Sequence, residues 1–120
     1  PVVFIKNIKK GDSVGYNRKF IAKKDAKIGY LQAGYADGYP LEMINSNTIF
    51  YDGNLLSVIG KVSMDLTAVD FTNINVTVGD WVTLFGEENN RLEKICSRTT
   101  NSPYSILTGI GNRVSREYLN

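Results

Sequence analysis

The stretch TIFYDGNLLSVI, residues 48–59, decides how the chain folds. Two apolar runs, Thr48 to Tyr51 and Leu55 to Ile59, flank Asp52-Gly53-Asn54. Asp-Gly suits a tight hairpin turn, whose central residues need positive φ: Gly takes it freely and Asp tolerates it. The stretch therefore predicts a β-hairpin, and the same grammar continues in both directions. Upstream, Val2 to Ile8 is a β-branched strand that ends at Gly11-Asp12. Ser13 to Ala22 reads as the next strand, closed by Lys23-Lys24-Asp25, and Lys27 to Gly34 runs into an Ala36-Asp37-Gly38 loop. Downstream, Lys61 to Phe71 alternates in part, with Val62, Met64, Leu66, Ala68 and Asp70 on one parity. Val78-Gly79-Asp80-Trp81 turns into a strand Trp81 to Phe85, which stops at Gly86.

The last third differs. Leu92 to Ser97 predicts a short helix with Cys96 as a small buried hydrophobe. Ser102-Pro103 reads as an N-cap followed by Pro at the first helical position, opening a helix that Gly109 or Gly111 ends. Val114 to Leu119 then returns as a strand. The expected fold is mainly β: a compact β-barrel-like domain with two short helices near the C-terminus.

Composition narrows the chemistry. With 120 residues the chain fits one domain, and 42% hydrophobic and 22% charged residues are ordinary for a globular protein. Net charge is +2, from 14 basic and 12 acidic residues dispersed along the sequence. No basic stripe points to nucleic acid, and no stretch approaches the roughly 20 apolar residues of a membrane span. The single cysteine, Cys96, excludes an internal disulfide and a cysteine metal cluster, a pattern that suits a reducing cytoplasm. Histidine is absent. Ser-His-Asp and Cys-His systems and imidazole-bound zinc are thereby excluded, and any proton transfer falls to carboxylate, lysine or tyrosine. No metal site is expected. The chain opens on Pro1-Val2-Val3 rather than on a methionine, which reads as a piece of a longer protein.

Five stretches carry a resemblance when taken in order. They are Gly11-Asp12-Ser13-Val14-Gly15-Tyr16, Gly34-Tyr35-Ala36-Asp37-Gly38-Tyr39-Pro40, Gly60-Lys61-Val62-Ser63-Met64-Asp65, Val78-Gly79-Asp80-Trp81-Val82 and Asn112-Arg113-Val114-Ser115-Arg116. Singly each is a common turn sequence. As an ordered set they resemble the C-terminal domain of the alanine racemase family, enzymes dependent on pyridoxal phosphate, over essentially the whole chain. The resemblance implies that residues 1–120 are that second domain and that an N-terminal α/β barrel, absent from this chain, carries the cofactor and its lysine. It also implies a head-to-tail homodimer in which this domain completes the partner's active site, and a fragment inactive by itself. The substrate would be a small amino acid.

On that resemblance, Tyr16 matches the family's catalytic tyrosine and Tyr35 a tyrosine lining the inner end of the substrate passage. Met64 matches a methionine whose backbone N–H meets the substrate carboxylate; Ser63 would shape the pocket wall and Asp65 would stand beside it. Read without the resemblance, both tyrosines are strand or turn aromatics and Met64 is core filler. Lys61 and Leu41 stand where arginine is frequent in the family, and lysine does not reproduce arginine's planar fork. Asn112 stands where tyrosine is frequent near the cofactor phosphate, and it resembles serine racemases of the vancomycin-resistance type. Its amide offers a donor and an acceptor for a serine hydroxyl; otherwise Asn112 simply ends a helix. Three readings stand: alanine racemase, serine racemase, and a non-catalytic β module. The full-length protein is expected in the cytoplasm, with an upstream membrane anchor left open.

Overall fold

Strand β1, Val2–Ile8, pairs antiparallel with β4, Ala26–Leu31, which pairs in turn with β7, Thr67–Asp70. This computed structural model describes residues 1–14, 20–21, 23–40, 43, 46–60, 62–86, 109–111 and 114–115. In the order β1-β4-β7 the central strand is covered on both faces. Leu31 and Val69 join Val2, Met43, Ile49 and Phe71 in one apolar cluster, whereas Ile28 and Ala68 join Ile8 and Ile59 in another. The period-2 alternation of a strand dictates that split. Val2 and Ile8 have the same parity yet lie in opposite clusters. A register shift between Val2 and Phe4 explains it, because one extra residue moves a side chain to the other face. Gly29 in β4 leaves room for the Phe71 ring, which an added Cβ would approach to 2.5 Å.

The remaining ladders are hairpins. Strand β5, Asn47–Tyr51, pairs with β6, Asn54–Ser57, through the two-residue turn Asp52-Gly53. Both turn residues have positive φ, 47° and 79°, as a type I′ reversal requires. Strands β2, Ser13–Val14, and β3, Phe20–Ile21, pair antiparallel, Ser13 with Ile21 and Val14 with Phe20. The single strand expected over Ser13 to Ala22 is therefore two short strands paired with each other, and residues 15–19 lie outside the described residues.

Two further expectations change. The Lys61 to Phe71 alternation becomes a strand only at Thr67. Before it, the Ser63 N–H donates to the Leu66 carbonyl at 3.1 Å and closes a turn, so Val62 is buried while Met64 and Leu66 face water. The strand expected over Trp81 to Phe85 reduces to a single bridge between Thr83 and Phe50, and Trp81 is 77% exposed.

The class is mainly β, as expected, but among the described residues the strands do not close into a barrel. They form one three-stranded and two two-stranded sheets, joined at single bridges such as Val58 to Val69. Turns at the seams, including Gly79 (φ 100°) against Val2, interrupt the ladders before they run on. The expected helices near Leu92 and Pro103 and the bulk of the strand from Val114 lie outside the described residues. Tyr35–Asp37 forms a short 3-10 turn. No helix among the described residues is long and apolar enough to cross a membrane.

Candidate active site

The 3-10 turn Tyr35–Asp37 follows β4 and is held by a backbone and a side-chain hydrogen bond within its own span. The Gly34 N–H donates to Asp37 Oδ2 at 3.1 Å, and the Asp37 N–H returns to the Gly34 carbonyl at 3.0 Å. Reciprocal pairs of this kind satisfy donors that a helical start leaves open. Gly38, at φ 98°, ends the turn in the left-handed region and donates to the Tyr35 carbonyl at 3.1 Å. A Cβ at position 38 would come within 2.5 Å of the Gly109 carbonyl oxygen. The Gly111 N–H reaches the Asp37 carbonyl at 3.3 Å, so the segment 109–111 lies against the same turn.

On its other side the turn is bonded to the loop before β7. The Tyr35 N–H donates to the Ser63 carbonyl at 3.0 Å, and the Ala36 N–H to the Met64 carbonyl at 3.1 Å. The Thr67 hydroxyl donates to the Ala33 carbonyl at 2.6 Å. Gly34 itself is extended (φ −149°), a conformation open to any residue. Space is what excludes a side chain there: an added Cβ would overlap the carbonyl oxygens of Ser63 and Met64.

This bonding fixes the direction of one more group. In a planar trans peptide the N–H points opposite to the C=O. Because the Ser63 carbonyl faces Tyr35, the N–H of Met64 points away from that turn. Among the described residues it donates to no backbone carbonyl. Met64 is 52% exposed and Tyr35 42%. The junction thus presents a backbone donor aimed away from the turn, a phenol and a thioether on one bonded unit.

The candidate residues fare differently. Tyr35, Ser63, Met64 and Asp65 are brought together by these two loops. The Ser63 hydroxyl donates to the Leu66 carbonyl at 2.7 Å and holds its loop closed, while Asp65 is exposed at the loop's tip. Tyr16 and Asn112 lie outside the described residues, as do Lys61 and Leu41; the β2–β3 ladder brackets Tyr16, and Gly111 precedes Asn112. Reading the sequence missed the parts played by Gly34 and Thr67. The Gly34-Tyr35 pair was visible, but its need for space arises from residues 63 and 64, far along the chain.

The model of the alanine racemase C-terminal domain family matches residues 1–118. An alanine racemase of Vesicomyosocius okutanii is 44% identical over 115 residues, which is 96% of this chain and 33% of that protein. An alanine racemase of Rickettsia canadensis is 34% identical, covering 98% of this chain and 34% of that protein. Among solved structures, the alanine racemase of Bartonella henselae with covalently bound pyridoxal phosphate superposes with a TM-score of 0.91 at 35% identity. That match covers 98% of this chain and 33% of the other. The biosynthetic alanine racemase of Pseudomonas aeruginosa gives 0.90 at 32% identity, covering 99% and 33%. The chain thus spans about a third of the length of the proteins it matches.

Proposed function

This chain belongs to the alanine racemase family as its C-terminal domain, and on that premise we propose that in the complete protein it finishes an active site that interconverts L- and D-alanine. The supporting observation is the Met64 N–H, which points away from the Tyr35 turn and donates to no backbone carbonyl among the described residues, on a loop bonded to the one that carries the exposed Tyr35. A backbone donor suits a carboxylate, and every amino-acid substrate carries one. The relatives are named alanine racemases, which favours alanine over serine and over a module without catalysis.

Pyridoxal phosphate, when bound, supplies the electron sink that makes a carbanion at Cα accessible. The chemistry of the donor set fits that role: Met64 N–H would hold the substrate carboxylate, Tyr35 would wall the passage, and Ser63 and Asp65 would shape the loop that carries Met64. Phosphate and ring would be held by the part of the protein that this chain does not span, with Asn112 near them. Racemisation needs one acid/base group on each face of Cα. Tyr16 serves one face, reaching the neighbouring subunit of a homodimer. Its phenol moves a proton near neutrality only where positive charge lowers a pKa that is about 10 in isolation. The protein works in the cytoplasm, which its single cysteine suits.

Tyr16→Phe in the full-length enzyme tests this reading. Cofactor absorbance should be retained, while Cα proton exchange from one enantiomer slows by about 10²–10⁴-fold. Exchange from the other enantiomer should slow far less. Equal loss for both enantiomers would remove Tyr16 from the reaction.

A further inference from the structure

We propose that Gly34 is a positioning residue that aims the Met64 N–H at the substrate carboxylate; the inference rests on the role given to Met64 above. The chain of cause is short. With no side chain at 34, the backbone of the Tyr35 turn comes close enough for its N–H to hold the Ser63 carbonyl at 3.0 Å. Peptide planarity turns that bond into a direction for the Met64 N–H. The second bond, Ala36 N–H to the Met64 carbonyl at 3.1 Å, fixes the next peptide, so residue 64 is gripped on both sides. Thr67 adds a tether from the base of the loop, its hydroxyl on the Ala33 carbonyl. Gly34 touches no substrate. It sets the tilt of a donor that does.

Gly34→Ala forces apart backbone atoms that cannot yield as a flexible side chain would. In the full-length enzyme loaded with cofactor, it should weaken binding of propionate, alanine without its amino group, by about tenfold or more. That is the scale of a misaligned hydrogen bond to a charged group. KM for alanine should rise in parallel while kcat changes by less than about threefold, the signature of a lost binding contact. A folded Gly34→Ala enzyme with unchanged propionate affinity, or with kcat falling at constant KM, overturns the proposal.

Where Gly34→Ala does not fold, Thr67→Val provides the test. It keeps the shape of the buried side chain and removes only the tether. Propionate affinity should fall by about two- to fivefold and return in Thr67→Ser, which restores the hydroxyl. No change in Thr67→Val, or no recovery in Thr67→Ser, counts against the proposal. Exchanging Met64 for its α-hydroxy counterpart replaces the N–H by an ester oxygen and separates the two levels. Undiminished propionate affinity there ends the role of Met64. Weakened affinity there, with none in Gly34→Ala, ends the role of Gly34 alone.

Discussion

The Tyr35–Met64 junction and the Tyr51–Asp80 junction both fasten distant parts of the chain, with opposite materials. At the first, Tyr35 and Ala36 donate backbone N–H groups to the Ser63 and Met64 carbonyls, the Thr67 hydroxyl adds one tether, and Tyr35 and Met64 themselves stay exposed. At the second, the fastening is made by side chains. The Tyr51 hydroxyl donates to Asp80 Oδ2 at 2.7 Å, the Thr77 N–H meets the same oxygen at 3.0 Å, and the Tyr51 ring meets Phe71 edge-on at 5.6 Å. A phenol and a carboxylate are held to one another there. Backbone bonding positions a surface without engaging the groups it presents; side-chain bonding gives cohesion and leaves less to offer a ligand.

The comparison breaks most visibly at Phe71. Its ring is fully buried, lies over Gly29 and braces Tyr51. Phe71→Ala should cost about 3–5 kcal/mol of stability by lost burial and the cavity left behind. Chemical unfolding of the full-length protein measures this. KM of the enzyme that remains folded should stay near the wild-type value. A rise in KM as large as that expected for Gly34→Ala would mean that the two junctions act as one.

Much of the second junction was legible in the sequence and little of the first. Asp52-Gly53 announces its hairpin because turn chemistry is local: two residues fix the φ values and the flanking runs supply the strands. Val78-Gly79-Asp80 announces its turn for the same reason, with the Asp80 N–H on the Thr77 carbonyl at 3.0 Å. The pairing of Val14 with Phe20 was missed because no Asn-Gly or Asp-Gly pair stands between them in the sequence. Parity failed at Met64 and Leu66 because a turn closed by Ser63 took precedence over alternation. Trp81 read as a strand residue on its apolar neighbours, yet among the described residues only Thr83 of that segment forms a bridge, to Phe50. The meeting of Tyr35 with Met64 could be expected only from the family resemblance, since backbone hydrogen bonds between loops leave no mark in residue type.

A sharper version exchanges the two phenols. Tyr51→Phe removes the hydroxyl from Asp80 and keeps the ring on Phe71; it should lower stability by a fraction of the Phe71→Ala loss and leave KM unchanged. Tyr35→Phe should do the converse, altering turnover or KM in the full-length enzyme with unfolding nearly unmoved. Unfolding midpoints and steady-state kinetics on the same two proteins decide it. If Tyr35→Phe destabilises as much as Tyr51→Phe does, the Tyr35 phenol is a structural group and the contrast between the junctions is lost.

The smallest effect is a pH dependence confined to the second junction. Donation from the Tyr51 hydroxyl, followed by that from the Thr77 N–H, holds the Asp80 carboxyl below the usual carboxylate range against the opposing effect of burial. The same hydrogen bond, with burial and the neighbouring carboxylates, raises the Tyr51 phenol above its usual value. A depressed acid contributes stability that is complete above its unfolded pKa and disappears as pH falls through the folded one. A raised phenol contributes stability that is complete below its unfolded pKa and disappears as pH rises through the folded one. The stability difference between wild type and Tyr51→Phe should therefore be flat between about pH 5 and pH 9 and shrink below about pH 4 and above about pH 10. Both groups are only partly buried, so the change is small. A difference that persists undiminished at pH 3 would mean that Tyr51 stabilises the fold through a contact other than the Asp80 carboxylate, and the second junction would lose its defining bond.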